Sequence, residues 1–156
     1  MPDENSIKKQ VASKMAALCS RSEQCSPDIC KKIIAVGLTD KEAEEILEFL
    51  KKEKFIDDKR YAKAYVAEKL KINKWGRVKI RYNLRVKGLP AEIIEIGIES
   101  LDQKKYIDVL LKTMKEKAKK TGSKNKFEKM GQIIRFAQSR GFEPELIHRY
   151  MNEVMK

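Results

Sequence analysis

The chain has 156 residues, and its 35 lysine and arginine residues outnumber its 23 aspartate and glutamate residues, for a formal net charge of +12. This length suits one compact unit or a string of small modules. The 4 prolines and 7 glycines do not cluster, which excludes collagen-like and proline-rich chains and disfavours a turn-dense β fold. No apolar run approaches the roughly 20 residues of a membrane span, and the polar N-terminus predicts no secretory signal.

The three cysteines lie close together in the first third of the chain, at Cys19, Cys25 and Cys30. An odd number without an export signal predicts reduced thiols, and therefore a cytoplasmic protein. Their spacing lacks the short pairs of zinc sites, and the one histidine, His148, is far away in sequence. We expect no metal and no cofactor, and interpret the cysteines as small buried apolar residues.

The positive charge is unevenly distributed along the chain. Residues 1–53 carry a net charge of −1, residues 54–101 a net charge of +6 and residues 102–156 a net charge of +7. A localised positive field attracts polyanions, of which nucleic acid is the commonest in a cytoplasm. The alternative is a highly charged surface that serves solubility alone.

The first third of the chain predicts three helices, because apolar residues recur there at intervals of three and four. The first runs over about Ile7–Cys19. The second begins at an N-cap, Ser26, and ends at Gly37. The third begins at a capping box made by Thr39 and Glu42.

The remaining two thirds predict six more helices with the same periodicity. Asp57 and Asp58 precede the first of them, Gly88 and Gly141 terminate two, and Asp102 caps another. The predicted bounds are about 58–70, 77–87, 91–101, 103–120, 126–140 and 144–155. Nine helices and no strand predict an all-α fold.

An internal repeat is visible when the three terminating glycines, Gly37, Gly88 and Gly141, are aligned, because they lie 51 and 53 residues apart. The residues one, six, ten and thirteen positions after each glycine are apolar. This pattern predicts three tandem three-helix repeats, over 5–53, 57–101 and 102–156, in an elongated, curved array.

Candidates for catalysis are few. Asp57 and Asp58 could be paired carboxylates for metal-dependent hydrolysis, but their place before a helix favours an N-cap and a first-turn acid. His148 has no nucleophile or acid placed to form a triad, and no nucleotide-binding glycine motif occurs. We predict no catalytic residue and no enzyme.

The predicted helix over 77–87 carries a basic stripe formed by Arg77, Arg81 and Arg85. Residues four apart lie about 6 Å from one another along a helix, and Ile80 and Leu84 occupy a different face. Three guanidinium groups in a row predict an anionic partner; the alternative is a solvated face paired with internal acids. Neighbouring contact candidates are Lys71, Lys74, Lys79 and Lys87.

A second basic tract predicts further contacts with nucleic acid or an acidic partner. Lysines supply charge without base specificity, so binding would weaken steeply with salt. Trp75 could stack on a base, but packing at a helix junction is the favoured interpretation. The tract contains Lys112, Lys115, Lys117, Lys119, Lys120, Lys124, Lys126 and Lys129, and Arg135 and Arg140 are further candidates.

Several motifs resemble those of the RecX family, in the same order over nearly the whole chain. They are Asp57-Asp58-x-Arg60-Tyr61-Ala62, Trp75-Gly76-Arg77-x-x-Ile80, Leu84-Arg85-x-Lys87-Gly88-Leu89 and Arg140-Gly141-Phe142. Asp57, Asp58, Arg60, Tyr61, Trp75, Gly76, Gly88 and Gly141 are expected to be mainly structural. One departure is Cys30, where a basic residue is common in the family.

The resemblance implies an all-helical regulator of the bacterial recombinase RecA, built from tandem three-helix repeats and without catalytic site or cofactor. It implies binding in the groove of the RecA–DNA filament, contact with DNA, and restraint of filament extension, strand exchange and SOS induction. We therefore predict a monomeric, non-enzymatic modulator, an inhibitor, whose partners are the RecA filament on single-stranded DNA and DNA itself. The alternative is a helical DNA- or RNA-binding protein that acts without RecA.

Overall fold

A computed structural model describes residues 4–122 and 125–156. Within these two ranges the chain forms nine α-helices and no strand, which confirms the predicted all-α fold. The helices are α1 (Glu4–Arg21), α2 (Ser26–Ala35), α3 (Asp40–Lys52), α4 (Asp58–Lys71), α5 (Arg77–Lys87), α6 (Ala91–Glu99), α7 (Gln103–Lys120), α8 (Lys126–Ser139) and α9 (Pro144–Val154).

Three of the predicted N-caps are confirmed. The side chain of Thr39 accepts the backbone N–H of Glu42, and the carboxylate of Glu42 accepts the N–H of Thr39 in return. Asp57 caps α4, and Asp102 caps α7 by accepting the N–H of Lys105 at 2.9 Å. Each cap satisfies N–H groups that have no partner inside the helix.

The predicted cap at Ser26 is wrong. Ser26 is the first residue of α2, and Cys25 occupies the N-cap position without a side-chain hydrogen bond. The N–H and hydroxyl of Ser26 donate instead to the carboxylate of Asp58, at 2.8 and 2.5 Å. A carboxylate 32 residues away therefore caps α2, and local sequence cannot show such a contact.

The three aligned glycines all adopt left-handed backbone. Gly37 has φ +102°, Gly88 has φ +102° and Gly141 has φ +92°. Residues that carry a Cβ rarely adopt this backbone conformation. The backbone therefore requires glycine at these three turns, whatever space surrounds each of them.

The buried apolar residues form three clusters. The first draws on α1, α2 and α3, the second on α4, α5 and α6, and the third on α7, α8 and α9. Two residues cross over: Cys25 lies in the second cluster and Leu70 of α4 in the third. These shared residues join the clusters, while the repeat boundaries at 5–53, 57–101 and 102–156 stay a prediction.

Candidate functional site

The start of α4 holds the first cluster against the second. Asp58 accepts from Ser26 as described above, and the Nε of Arg60 lies 2.5 Å from a carboxylate oxygen of Glu23. The same guanidinium donates to the carbonyls of Lys54 and Phe55 at 3.3 and 3.4 Å. Both acids of the Asp57-Asp58 pair therefore accept hydrogen bonds at helix N-termini, Asp57 at the start of α4 and Asp58 at the start of α2.

The C-terminal end of α5 is fixed to α2. The Nζ of Lys87 lies 2.9 Å from Oδ2 of Asp28, and a Cβ at Gly88 would stand 3.4 Å from the ring of Pro27. Burial alone would lower the pKa of Lys87, but its hydrogen bonds to Asp28 and Tyr61 raise it. Burial raises the pKa of Tyr61 to about 12.

The N-terminal end of α5 is fixed to the turn between α8 and α9. The N–H of Gly76 donates to the carbonyl of Arg140 at 2.7 Å, and the N–H of Val78 donates to the carbonyl of Gly141 at 2.9 Å. A Cβ on Gly76 would lie 2.5 Å from the backbone of Gly141, and one on Gly141 would lie 2.3 Å from Cβ of Lys79. The two glycines are needed because the backbones touch.

Arg77 is enclosed at this same junction. Its guanidinium lies 2.7 Å from a carboxylate oxygen of Glu143 and 3.8 Å from the ring centre of Tyr106, and it also donates to Gln103. The hydroxyl of Tyr106 accepts the N–H of Arg77 and donates to Glu143. Burial, followed by the hydrogen bond to Glu143, raises the pKa of Tyr106.

The predicted basic stripe is therefore divided: two of its arginines pair with acids of the protein, which is the alternative interpretation, and the third has no such partner among the described residues. Arg77 is paired as described, and Arg81 makes two hydrogen bonds to Glu95, at 2.6 and 3.2 Å. The hydrogen bond from Arg81 lowers the pKa of the Glu95 carboxyl. Arg85 is exposed and has no ion-pair partner among the described residues. The acids that neutralise the other two come from α6 and from the residue before α9.

The outer face of α5 carries an apolar stripe that the sequence analysis missed. Val78, Tyr82 and Val86 are 50%, 62% and 63% exposed, whereas Ile80 and Leu84 on the inner face are fully buried. Val78, Tyr82 and Val86 recur every four residues, and each directly follows an arginine of the basic stripe. This helical spacing is the feature of the sequence from which the apolar stripe could have been predicted. We call these three residues, with Arg85 beside them, the outer face of α5.

The remaining predicted cations differ in their surroundings. Trp75 packs against the second cluster, with Nζ of Lys69 and Lys79 lying 5.1 and 4.8 Å from its ring centre. Lys124 lies outside the described residues. The other predicted residues that are exposed are Lys71, Lys112, Lys115, Lys119, Lys126 and Arg135, and Lys129 is half-buried.

Four cations converge on a cleft between α7, α8 and the loop that joins α4 to α5. They are Lys74, Lys117, Lys120 and Arg140, and the cleft also contains the ring of Phe136. The Nζ of Lys117 and the Cζ of Arg140 lie 5.0 and 4.9 Å from the centre of that ring. We call this feature the α7–α8 cleft.

Neither a metal site nor a membrane span is found in the part of the chain that the structure describes. No group of three or more histidine, cysteine, aspartate or glutamate side chains there could hold a metal ion. None of the helices in that part is both long and apolar enough to cross a bilayer.

The described residues thus form three clusters of helices that are joined through both ends of α5, with exposed basic residues towards the C-terminus, and this arrangement defines a small all-α protein. The sequence model of the family "RecX, second three-helix domain" matches residues 57–97, and this range includes the whole of α5. The chain belongs to the RecX family, as its motifs predict.

Relatives of known family support this assignment. The chain is 32% identical over 138 residues to the regulatory protein RecX of Clostridium tetani, and 34% identical over 135 residues to that of Clostridium acetobutylicum. These alignments cover 86% and 80% of this chain and 62% and 61% of the relatives, so the chain spans about three fifths of their length.

The crystal structure of RecX from Lactobacillus salivarius has the same fold. It superposes with a TM-score of 0.86, covering 94% of this chain and 96% of that one, at 19% sequence identity. This likeness confirms the predicted fold class.

Proposed function

We propose that this chain is a non-enzymatic modulator of RecA, acting in the cytoplasm as a monomer. It binds in the groove of the RecA–DNA filament and limits its extension, which makes it an inhibitor of recombination and of the SOS response. Membership of the RecX family supports this proposal. The observation in this chain that carries it is the exposed outer face of α5.

The outer face of α5 has the properties of a protein-binding surface. Both ends of α5 are held, by Asp28 at one end and by the α8–α9 turn at the other. Val78, Tyr82 and Val86 lie on this fixed helix, and each is at least half exposed. Exposing three apolar side chains together does not stabilise a monomer, so such a group indicates a binding surface. Tyrosine and arginine are the residue types that most often dominate protein interfaces, and here Tyr82 and Arg85 lie side by side.

The test is the single-stranded-DNA-dependent ATPase activity of the cognate RecA, with this protein titrated in. We expect the activity to fall when the protein is well below the RecA concentration, because a modulator that stops filament extension acts at growing ends. A fall only at concentrations that coat the DNA would contradict the proposal.

A matched pair of variants tests the face itself. Tyr82→Ser combined with Val86→Ser should raise the half-inhibiting concentration about thirtyfold or more, since the loss of a single interface anchor costs about 2 kcal/mol or more. Phe127→Ser removes a side chain that is 83% exposed on α8 and should leave inhibition unchanged. Equal inhibition by both variants would show that the outer face of α5 is not the contact.

The second candidate is a protein that binds DNA or RNA without RecA. The exposed lysines of α7, Lys112, Lys115 and Lys119, favour it because they have no ion-pair partner among the described residues. This candidate predicts tight binding to naked polymer and no effect on RecA beyond competition for DNA.

A further inference from the structure

The second cluster is joined to the third by apolar side chains and by direct backbone contact. Leu70 of α4 lies inside the third cluster, and Leu101 packs against both clusters. The N–H groups of Gly76 and Val78 donate to backbone carbonyls of the α8–α9 turn, as described above. Salt does not screen the burial of apolar surface, so this joint should hold at any moderate ionic strength.

The joint between the first and second clusters is mainly polar. Within the described ranges, Cys25 is the one buried residue from the α1–α3 part of the chain that belongs to the second cluster. Three polar contacts accompany it, from Ser26 to Asp58, from Arg60 to Glu23 and from Lys87 to Asp28. The charged side chains of the two ion pairs are 27% to 44% exposed, so salt reaches and screens them.

The chain passes from α3 to α4 through a short turn, residues 53–57, that contains strained backbone. Lys54 has φ +63°, a left-handed conformation that residues with a Cβ rarely adopt. The guanidinium of Arg60 donates to the carbonyls of Lys54 and Phe55, and the same group pairs with Glu23. One arginine of α4 therefore fixes both this turn and the link between α1 and α2.

We propose that the turn over residues 53–57 is a hinge, about which α1–α3 move as a unit away from α4–α9 when the ionic contacts of Arg60 and Lys87 are screened. Helices α4–α9 stay together during this movement. Lys87 directly follows Val86 of the outer face of α5, so the movement changes the position of α1–α3 relative to that face. The inference goes beyond the proposed function, and its test does not involve RecA.

The thiol of Cys25 reports on the opening of this joint. Its side chain is fully buried, and burial raises the pKa of the thiol to about 11. Both properties protect it from thiol reagents, because the reagent needs access and the thiolate is the reactive form. When α1–α3 move away from α4, Cys25 leaves the second cluster and meets water. The rate of its reaction therefore measures how often the joint opens.

The experiment uses the full chain with Cys19→Ala and Cys30→Ala, so that Cys25 is the single thiol. Its reaction with dithiobis(nitrobenzoate) is followed by absorbance and divided by the rate for an unstructured peptide of residues 22–31 that carries the same Cys30→Ala change. Between about 0.05 M and about 0.5 M sodium chloride, this ratio should rise about threefold or more, because salt screens the two ion pairs. A ratio that does not change with salt would contradict the proposal.

Variants at the two joints provide a matched comparison in the same background. Arg60→Gln should accelerate the reaction of Cys25 about tenfold, since it removes an ion pair and two hydrogen bonds from a charged donor. Arg77→Gln removes the ion pair with Glu143 at the other joint, and should change the rate by less than about twofold. Equal acceleration by the two variants would mean that Cys25 is reached only by unfolding of the whole chain, which would overturn the hinge.

Lys87→Gln is a second, independent variant of the polar joint. It removes the contact with Asp28 and leaves Arg60 in place, and should accelerate the reaction of Cys25 about threefold or more. Helicity and thermal unfolding establish that each variant is folded, and Lys87→Gln carries the test if Arg60→Gln does not fold. An unchanged rate in folded Lys87→Gln would count against the polar joint.

Hydrogen exchange followed by NMR distinguishes movement of a unit from local unfolding of α2. In Arg60→Gln, the N–H of Ser26, which donates to Asp58 across the joint, should exchange faster. The amides of residues 30–35 lie inside α2 and should keep their protection, because the helix moves intact. Loss of protection over residues 30–35 in parallel with the faster reaction of Cys25 would show that α2 unfolds, and the hinge would be wrong.

Discussion

The basic residues of α5 and those around the α7–α8 cleft look alike in sequence but have opposite surroundings. On α5, Arg77 and Arg81 are paired with Glu143 and Glu95, and Lys87 is paired with Asp28. Around the cleft, Lys117 and Lys120 have no such partner within the described ranges. Positive charge thus serves attachment in one region and is available for a ligand in the other.

The difference follows from where acids of other helices are placed. The three acids that neutralise α5 come from α2, from α6 and from the residue before α9, and they lie 59, 14 and 66 residues away from their partners, respectively. A stripe of arginines is therefore evidence for an anionic partner, and that partner can be the protein itself.

The largest effect is expected where α5 meets the α8–α9 turn. Gly141→Ala would place a Cβ 2.3 Å from Cβ of Lys79 on backbone with φ +92°, and should lower the free energy of unfolding by about 3 kcal/mol. Gly122→Ala is the control, because nothing lies within 4 Å of a Cβ there, and it should change stability by less than about 0.5 kcal/mol. Urea unfolding measures both, and similar values would contradict the close attachment of α5.

A smaller effect should separate two arginines of the same stripe. Arg77→Met leaves Glu143 without its cation where the two side chains are only 18% and 23% exposed, and should cost about 2 kcal/mol. Arg85→Met removes an exposed cation and should change stability by less than about 0.5 kcal/mol. If the two variants unfold at the same urea concentration, the division of the stripe into paired and free members is wrong.

The smallest effect is a pH dependence. The hydrogen bond from Arg81 lowers the pKa of Glu95 below its ordinary value of 4.5, so the pair stabilises the folded state above about that pH. The contribution is lost as the pH falls through the lowered pKa of the folded state. Because the Glu95 side chain is 45% exposed, we expect about 0.5 kcal/mol.

Glu95→Gln checks this sign. The wild-type protein should be the more stable of the two at pH 7, and the difference should disappear at pH 3. Thermal unfolding at the two pH values measures it; a difference that persists at pH 3 would mean that charge on Glu95 is not its source.

Much of the fold was predictable from local sequence. The capping box at Thr39, the cap at Asp57 and the left-handed turn at Gly88 depend on residues within a few positions of one another, and all three are confirmed. The cap at Ser26 was not predictable, because its partner Asp58 approaches only when α2 and α4 pack together.

The candidate site was predictable only in part. Charge density indicated that residues 54–156 are basic. It could not separate Arg81, which is paired, from Lys120, which has no ion-pair partner among the described residues. Tyr82 was missed because its exposure depends on which side of α5 faces α4 and α6, and periodicity alone allows either side of a helix to be buried.

The sequence by itself determined the nine helices of the described residues, their glycine stops, the family and the regional charge, since each depends on short-range spacing or on direct comparison of residues. Only the tertiary structure decided which cations are neutralised, why Gly76 and Gly141 must be glycines, and that Thr113 and Phe136 share one cleft with Lys117. The physical reason is that Coulombic pairing, backbone contact and burial depend on distances between groups far apart in the chain, and packing sets those distances.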